Sequence, residues 1–160
     1  TAAVPVYMAT LGKALGTAGA FVSGSDELVE TLIQRARTYI YTTATPAAVA
    51  EATRASLKLI QTEPQWRERL QQNIRYFRNC CNQTNIQLSE SKTAIQPIII
   101  GDTEETVRMS NTLFANGILV TAIRPPTVPE GTARLRITLS AAHNSEQIDK
   151  LISALNTIRQ

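Results

Sequence analysis

Residues 10–24, TLGKALGTAGAFVSG, place Lys13 directly after Gly12 and three residues before Gly16, and run on into small and apolar residues. Immediately upstream, residues 4–9 (VPVYMA) are apolar, with β-branched and aromatic members, and they stop where a polar, glycine-containing turn opens at Thr10. Such a run predicts a buried strand, and Lys13 then falls just past its end. Gly12 and Gly16 remove Cβ atoms that would hold backbone and ligand apart, and they permit the φ values of a tight loop. An amine presented there has two readings. It is either a solvated lysine in a turn or an amine that condenses with an aldehyde. The second needs burial or neighbouring cations that favour the neutral form over an ammonium of pKa ~10.4.

Working outward, residues 19–24 (GAFVSG) read as a second short strand, and Asp26 is a plausible N-cap for a helix from about residue 27 to residue 37. Residues 39–45 (YIYTTAT) lead into Pro46 and are expected to be extended or turned, with Thr42 and Thr43 hydroxyls suited to turn hydrogen bonding. Residues 47–61 space their apolar members at helical intervals, and Pro64 permits a fresh helix through about residue 82. Trp66, Leu70, Ile74 and Phe77 form one stripe of that helix and are assigned to the core.

Further on, residues 95–100 (IQPIII) predict a strand with Pro97 near its start or edge, and residues 103–116 a helix closed by Gly117. Residues 118–124 (ILVTAIR) predict another strand, residues 125–131 a stiff loop, and residues 134–139 (RLRITL) a strand with alternating polar and apolar positions. Residues 145–158 predict an amphipathic helix with an S-x-x-D-like cap. Strands alternating with helices in this way give an α/β module whose small, largely antiparallel sheet is covered on one face.

The 160 residues, 43% apolar, suffice for one domain, or the tail of one and a second small one. No apolar run approaches the ~20 residues that cross a bilayer, and no basic segment followed by an apolar one opens the chain. A cytoplasmic protein without membrane insertion is therefore expected. The net charge of +3 comes from 16 basic and 13 acidic residues dispersed along the chain, a pattern compatible with small anionic ligands. Arg67, Arg69, Arg75 and Arg78 are interrupted by Glu63 and Glu68, so no nucleic-acid surface is expected. Cys80 and Cys81 are adjacent in a predicted helix and read as reduced thiols, and with His143 the single histidine no metal site is expected. His143 reads as a structural residue near a helix start, and no G-x-S-x-G elbow accompanies it.

Alternation along residues 134–139 puts Arg134, Arg136 and Thr138 on one face and Leu135, Ile137 and Leu139 on the other. A guanidinium there either grips a carboxylate bidentately or decorates a solvated sheet face. Arg124, before the Pro125–Pro126 pair, carries the same two readings. Thr127 sits in a loop whose prolines limit its freedom, which suits it to presenting a hydroxyl or a backbone group.

The run TLGKALGTAGAFVSGSDELVETLIQRARTYIYTTATP resembles the cofactor-lysine region of the α-oxoamine synthases, pyridoxal-phosphate enzymes that condense an amino acid with an acyl thioester. The later stretch TAIRPPTVPEGTARLRITLSAAH is most similar to the branch of that family acting in biotin biosynthesis. The resemblance implies the carboxyl-terminal part of a fold type I pyridoxal-phosphate transferase. Residues 1–45 would end the large cofactor domain, 46–82 would be connecting helices, and 83–160 the C-terminal α/β domain. It further implies that Lys13 holds the pyridoxal 5′-phosphate and moves the substrate α-proton, with Thr10 on the phosphate. Thr42 and Thr43 would reach the phosphate of the neighbouring subunit in a homodimer with shared sites.

Arg136 would orient the amino-acid carboxylate, with Thr127 and Arg124 as further substrate contacts. The implied substrates are L-alanine and a pimeloyl thioester, of coenzyme A or of acyl carrier protein. Other readings are a glycine-using sister synthase and a non-catalytic α/β dimerisation module. The aromatic residue that stacks on the ring and the acid facing its nitrogen would come from an upstream part, so these 160 residues alone are expected to bind cofactor poorly and not to turn over.

Overall fold

The computed structural model describes residues 3–84 and 86–158. The chain divides into two compact units, residues 1–64 and 65–160. Each is mixed α and β in composition.

In the first unit, β1 (Tyr7–Thr10) and β2 (Ala20–Ser23) form an antiparallel pair in which Met8 faces Val22 and Ala9 faces Phe21. Pairing begins later than residue 4 because Pro5 lacks the N–H a ladder requires. The expectation of a buried strand is also corrected. Tyr7 and Met8 are 53% and 62% exposed, since a lone two-stranded ribbon has nothing to cover its faces. No described residue of this unit is fully buried.

Helix α1 (Asp26–Arg35) starts one residue earlier than expected, because Ser25 rather than Asp26 is the N-cap. The Ser25 hydroxyl oxygen accepts from Leu28 N at 3.3 Å, which moves Asp26 and Glu27 into the first turn, at the positive end of the helix. A hydrogen bond with Ser25 holds the Glu27 carboxyl below its ordinary range. Of the segment expected to be extended or turned from residue 39, residues 39 and 40 belong instead to α2 (Arg37–Ile40), joined by Tyr39 N–H to Ala36 O at 2.8 Å, and residues 41 and 42 turn out of it. The constraint from Pro46 acts only on its immediate predecessor and does not reach back that far. Helix α3 (Ala47–Thr62) then follows its periodicity.

The second unit opens with α4 (Gln65–Gln83), which buries Ile74, Phe77 and Cys81. Leu70 packs against that core, but Trp66 is 48% exposed, because it borders an open cleft lined by Arg69, Asn73 and His143. Next come β3 (Ile95–Gly101), α5 (Thr103–Ala115), β4 (Thr121–Ile123), β5 (Ala133–Thr138) and α6 (Ser145–Ile158). The sheet order is β3-β5-β4 and both pairings are antiparallel. Pro97 sits on the edge strand β3, where a missing N–H is tolerated. β4 is shorter than the apolar run 118–124 because only three of its residues find partners on β5.

One face of the sheet is covered. Ala133, Leu135 and Ile137 are buried while Arg136 and Thr138 are exposed and Arg134 is half-buried, as the alternation requires. Leu135 and Ile137 join Phe77, Leu113, Ile148 and Leu155 in one core, each contributing roughly 1.5–3 kcal/mol. The cap of α6 is not serine-based. Asn144 and Gln147 form the reciprocal pair, Gln147 N to Asn144 Oδ1 at 2.9 Å and Asn144 N to Gln147 Oε1 at 3.0 Å.

A polar network absent from the sequence reading ties α4 to the chain before β3. Gln96 is completely buried, its Oε1 accepting from Arg78 at 2.7 Å and its Nε2 donating to Thr93 O at 2.7 Å. Neither cysteine is in a disulfide. Among the described residues no helix is long and apolar enough to cross a membrane.

Candidate functional site

The turn carrying Lys13 is closed at three levels. At its neck Leu11 N donates to Gly19 O at 2.8 Å; higher up Thr17 N donates to Leu11 O at 3.1 Å; at its tip Gly16 N donates to Lys13 O at 2.9 Å. The tip requires φ +64° at Gly16, a left-handed conformation that side chains oppose. At Gly12 an added Cβ would stand 3.3 Å from Thr17 O, tighter than ordinary contact. Both glycines singled out in the sequence therefore have a geometric reason.

Lys13 is exposed, and its Nζ donates to Thr10 Oγ1 at 3.0 Å. The structure thus brings together two residues assigned to one cofactor, a primary amine and a hydroxyl at the mouth of a hairpin. Thr42 and Thr43 are exposed just past α2, with Thr42 N donating to Tyr39 O at 3.3 Å. They belong to the same unit as Lys13.

Helix α3 supplies contacts the sequence reading missed. Ser56 Oγ donates to Leu15 O at 2.8 Å, and the hydroxyls of Thr53 and Thr17 are 3.0 Å apart. Thr53 also donates to Val49 O at 2.8 Å. Their signal was two hydroxyls three residues apart on an otherwise amphipathic helix, which spacing alone does not connect to a loop some forty residues upstream.

In the second unit, Arg136 projects from the exposed face of the central strand, paired in register with Pro97 on one side and Thr121 on the other. Arg134, on the same face, is half-buried and spends its Nε on Thr132 O at 2.9 Å, which leaves Arg136 the less committed guanidinium. Arg124 and Thr127 share one turn, closed by Thr127 N to Arg124 O at 3.0 Å, and both are exposed. A planar, exposed guanidinium on a rigid strand can bind a carboxylate bidentately.

His143 takes part in holding a loop. Its Nδ1 accepts from Ser140 N at 3.2 Å, while Asn73 on α4 donates to both Ser140 O and His143 O, at 3.0 and 2.9 Å. Among the described residues no group of three or more histidines, cysteines or carboxylates is arranged to hold a metal.

The chain is 59% identical over 153 residues to the 8-amino-7-oxononanoate synthase of Thioalkalivibrio sulfidiphilus, an alignment covering 96% of this chain and 39% of that protein. The chain thus spans about two fifths of the length of the curated relatives it matches. Among solved structures, the 8-amino-7-oxononanoate synthase of Francisella tularensis superposes with a TM-score of 0.84 at 34% identity, over 95% of this chain and 44% of that one. A serine palmitoyltransferase of S. paucimobilis solved with bound PLP superposes at 0.89 with 27% identity, over 97% of this chain and 39% of that one.

These relatives are α-oxoamine synthases, the group whose motifs the sequence resembles. The sequence profile of the aminotransferase class I and II family matches residues 2–155, and it is to that family that this chain belongs.

Proposed function

We propose that the protein containing this chain is an 8-amino-7-oxononanoate synthase, which condenses L-alanine with a pimeloyl thioester, releasing the thiol carrier and carbon dioxide, in biotin biosynthesis. The observation that carries this reading is the glycine-built turn that sets the Thr10 hydroxyl 3.0 Å from the Lys13 amine; Lys13 is exposed in this chain, and the burial that favours its neutral form would come from the rest of the protein. Identity of 59% to a protein of that name separates it from the serine palmitoyltransferase at 27%.

The residues present fit pyridoxal 5′-phosphate. Lys13 offers the one chemistry an aldehyde needs, a primary amine, and Thr10 offers a hydroxyl donor for the phosphate. Thr42 and Thr43 would serve the phosphate of the neighbouring subunit in a homodimer. The cofactor, when bound, supplies an aldehyde and a ring that takes up electrons from an adjacent carbon. Lys13 removes the α-proton of alanine at its Nζ and returns a proton after carbon dioxide is lost. Arg136 holds the amino-acid carboxylate until it departs, and Thr127 and Arg124 contact the substrate. The division into the end of a large domain, connecting helices and a C-terminal domain belongs to the same reading, as does a cytoplasmic location. The exposure of Tyr7, Met8, Phe21 and Val22, which lie on both faces of the β1–β2 ribbon, and of Tyr39 supports a larger protein, whose remainder would cover these apolar side chains.

The full-length protein decides between substrates. Alanine with a pimeloyl thioester, as coenzyme A and as carrier-protein adduct, is compared with glycine plus acetyl or succinyl thioester. Turnover of the first pair is expected; turnover of the glycine pairs alone would replace this reading with a sister synthase.

A further inference from the structure

We infer that Ser56 and Thr53 of α3 are positioning residues for Lys13, holding the turn from which its amine projects; this rests on the reading of Lys13 as the aldehyde-binding amine. Nine residues, 11–19, separate the two short strands of the hairpin, and the strands that carry them are exposed. Their own backbone bonds close the turn but do not orient it. Orientation comes from α3. Ser56 takes hold of Leu15 through its carbonyl at 2.8 Å, and Thr53 meets the Thr17 hydroxyl at 3.0 Å.

Leu15 and Thr17 flank Gly16, the glycine at φ +64° that forms the tip of the turn. The two grips therefore straddle the point where the turn would otherwise swivel. Ser56 and Thr53 are three residues apart, on one face of α3, so a rigid helix sets their separation. Thr53 is itself steadied by its 2.8 Å bond to Val49 O. Both hydroxyls are half-buried whereas Lys13 is exposed, so the grip is shielded from water while the amine remains accessible. A reacting group misplaced by about 1 Å can lose a hundredfold in rate, and removing one of two grips is a smaller disturbance.

The test uses the full-length protein with Ser56→Ala, Thr53→Val and the conservative Ser56→Thr. Two quantities are read: amide hydrogen exchange of the peptide spanning residues 11–19 without cofactor, and the rate at which pyridoxal phosphate becomes fixed to Lys13 by borohydride. Ser56→Ala and Thr53→Val should each speed exchange and slow fixation about tenfold, with the melting temperature little changed, and Ser56→Thr should restore both. If Ser56→Ala fails to fold, Thr53→Val is read in the same way. Exchange and fixation rates equal to those of the unaltered protein in both variants would overturn the positioning role. Absence of fixation at Lys13 in the unaltered protein would instead defeat the condensation reading.

Discussion

The Tyr76 hydroxyl on α4 donates a 2.6 Å hydrogen bond to Asp149 Oδ1 on α6, joining the two helices outside the core they share. The bond from Asp149, then desolvation and the carboxylate's charge, push the Tyr76 hydroxyl up to about 12 from 10.0. The neutral hydroxyl is thus favoured by folding. Its stabilisation is complete below pH 10 and is lost as pH rises through about 12. Melting temperatures of the unaltered protein should therefore fall more steeply over that window than those of Tyr76→Phe. Equal slopes would contradict the assignment, and phenolate absorbance provides an independent titration.

Gln96 is buried with its oxygen satisfied by Arg78. Arg78→Met removes that donor and leaves the oxygen unpaired, so urea unfolding should show a loss of about 1–3 kcal/mol. Adding Gln96→Leu to the same protein should recover part of the loss, since the unpaired group is then gone. A double variant no more stable than Arg78→Met would show that the network is not the cause.

Replacing Lys13 by alanine in the full-length protein should reduce kcat by roughly a hundredfold to ten-thousandfold, the range general acid–base groups contribute. The same variant should take up no pyridoxal phosphate that borohydride can fix. Steady-state turnover and peptide mapping after reduction check the two expectations separately.

Arg136→Ala should weaken binding of the amino acid by about tenfold to a hundredfold, because a charge-assisted hydrogen bond contributes roughly 1.5–3 kcal/mol. Arg136→Lys keeps the charge but not the planar fork, and should recover only part of that affinity. Arg134→Lys should affect binding far less, since Arg134 is engaged with Thr132 O. Titration with alanine measures all three.

The 160 residues by themselves should neither fix a stoichiometric amount of pyridoxal phosphate on Lys13 nor turn over substrate. A strong borohydride-stable signal on Lys13 in the isolated chain would contradict this.

What this sequence determined alone is what depends on short-range spacing. Apolar intervals of three and four residues set α3 and α6, and the two-residue period of residues 134–139 separated Arg136 from Leu135 before any partner strand was known. The glycines around Lys13 marked a turn for the same local reason, and its motif pointed to the family. The caps Ser25 and Asn144 are local as well, each meeting an N–H group three residues on, although the spacing did not single them out over Asp26 and Ser145. Tertiary structure decided what depends on distant groups. Trp66 stayed half-exposed because it borders an open cleft beside Asn73 and His143, and the residues 4–9 run stayed uncovered because one partner strand cannot bury it. The Arg78–Gln96 bond and the hold of Ser56 on Leu15 link residues 18 and 41 positions apart, and hydrogen bonds across such separations are set by how elements pack, which no local pattern encodes.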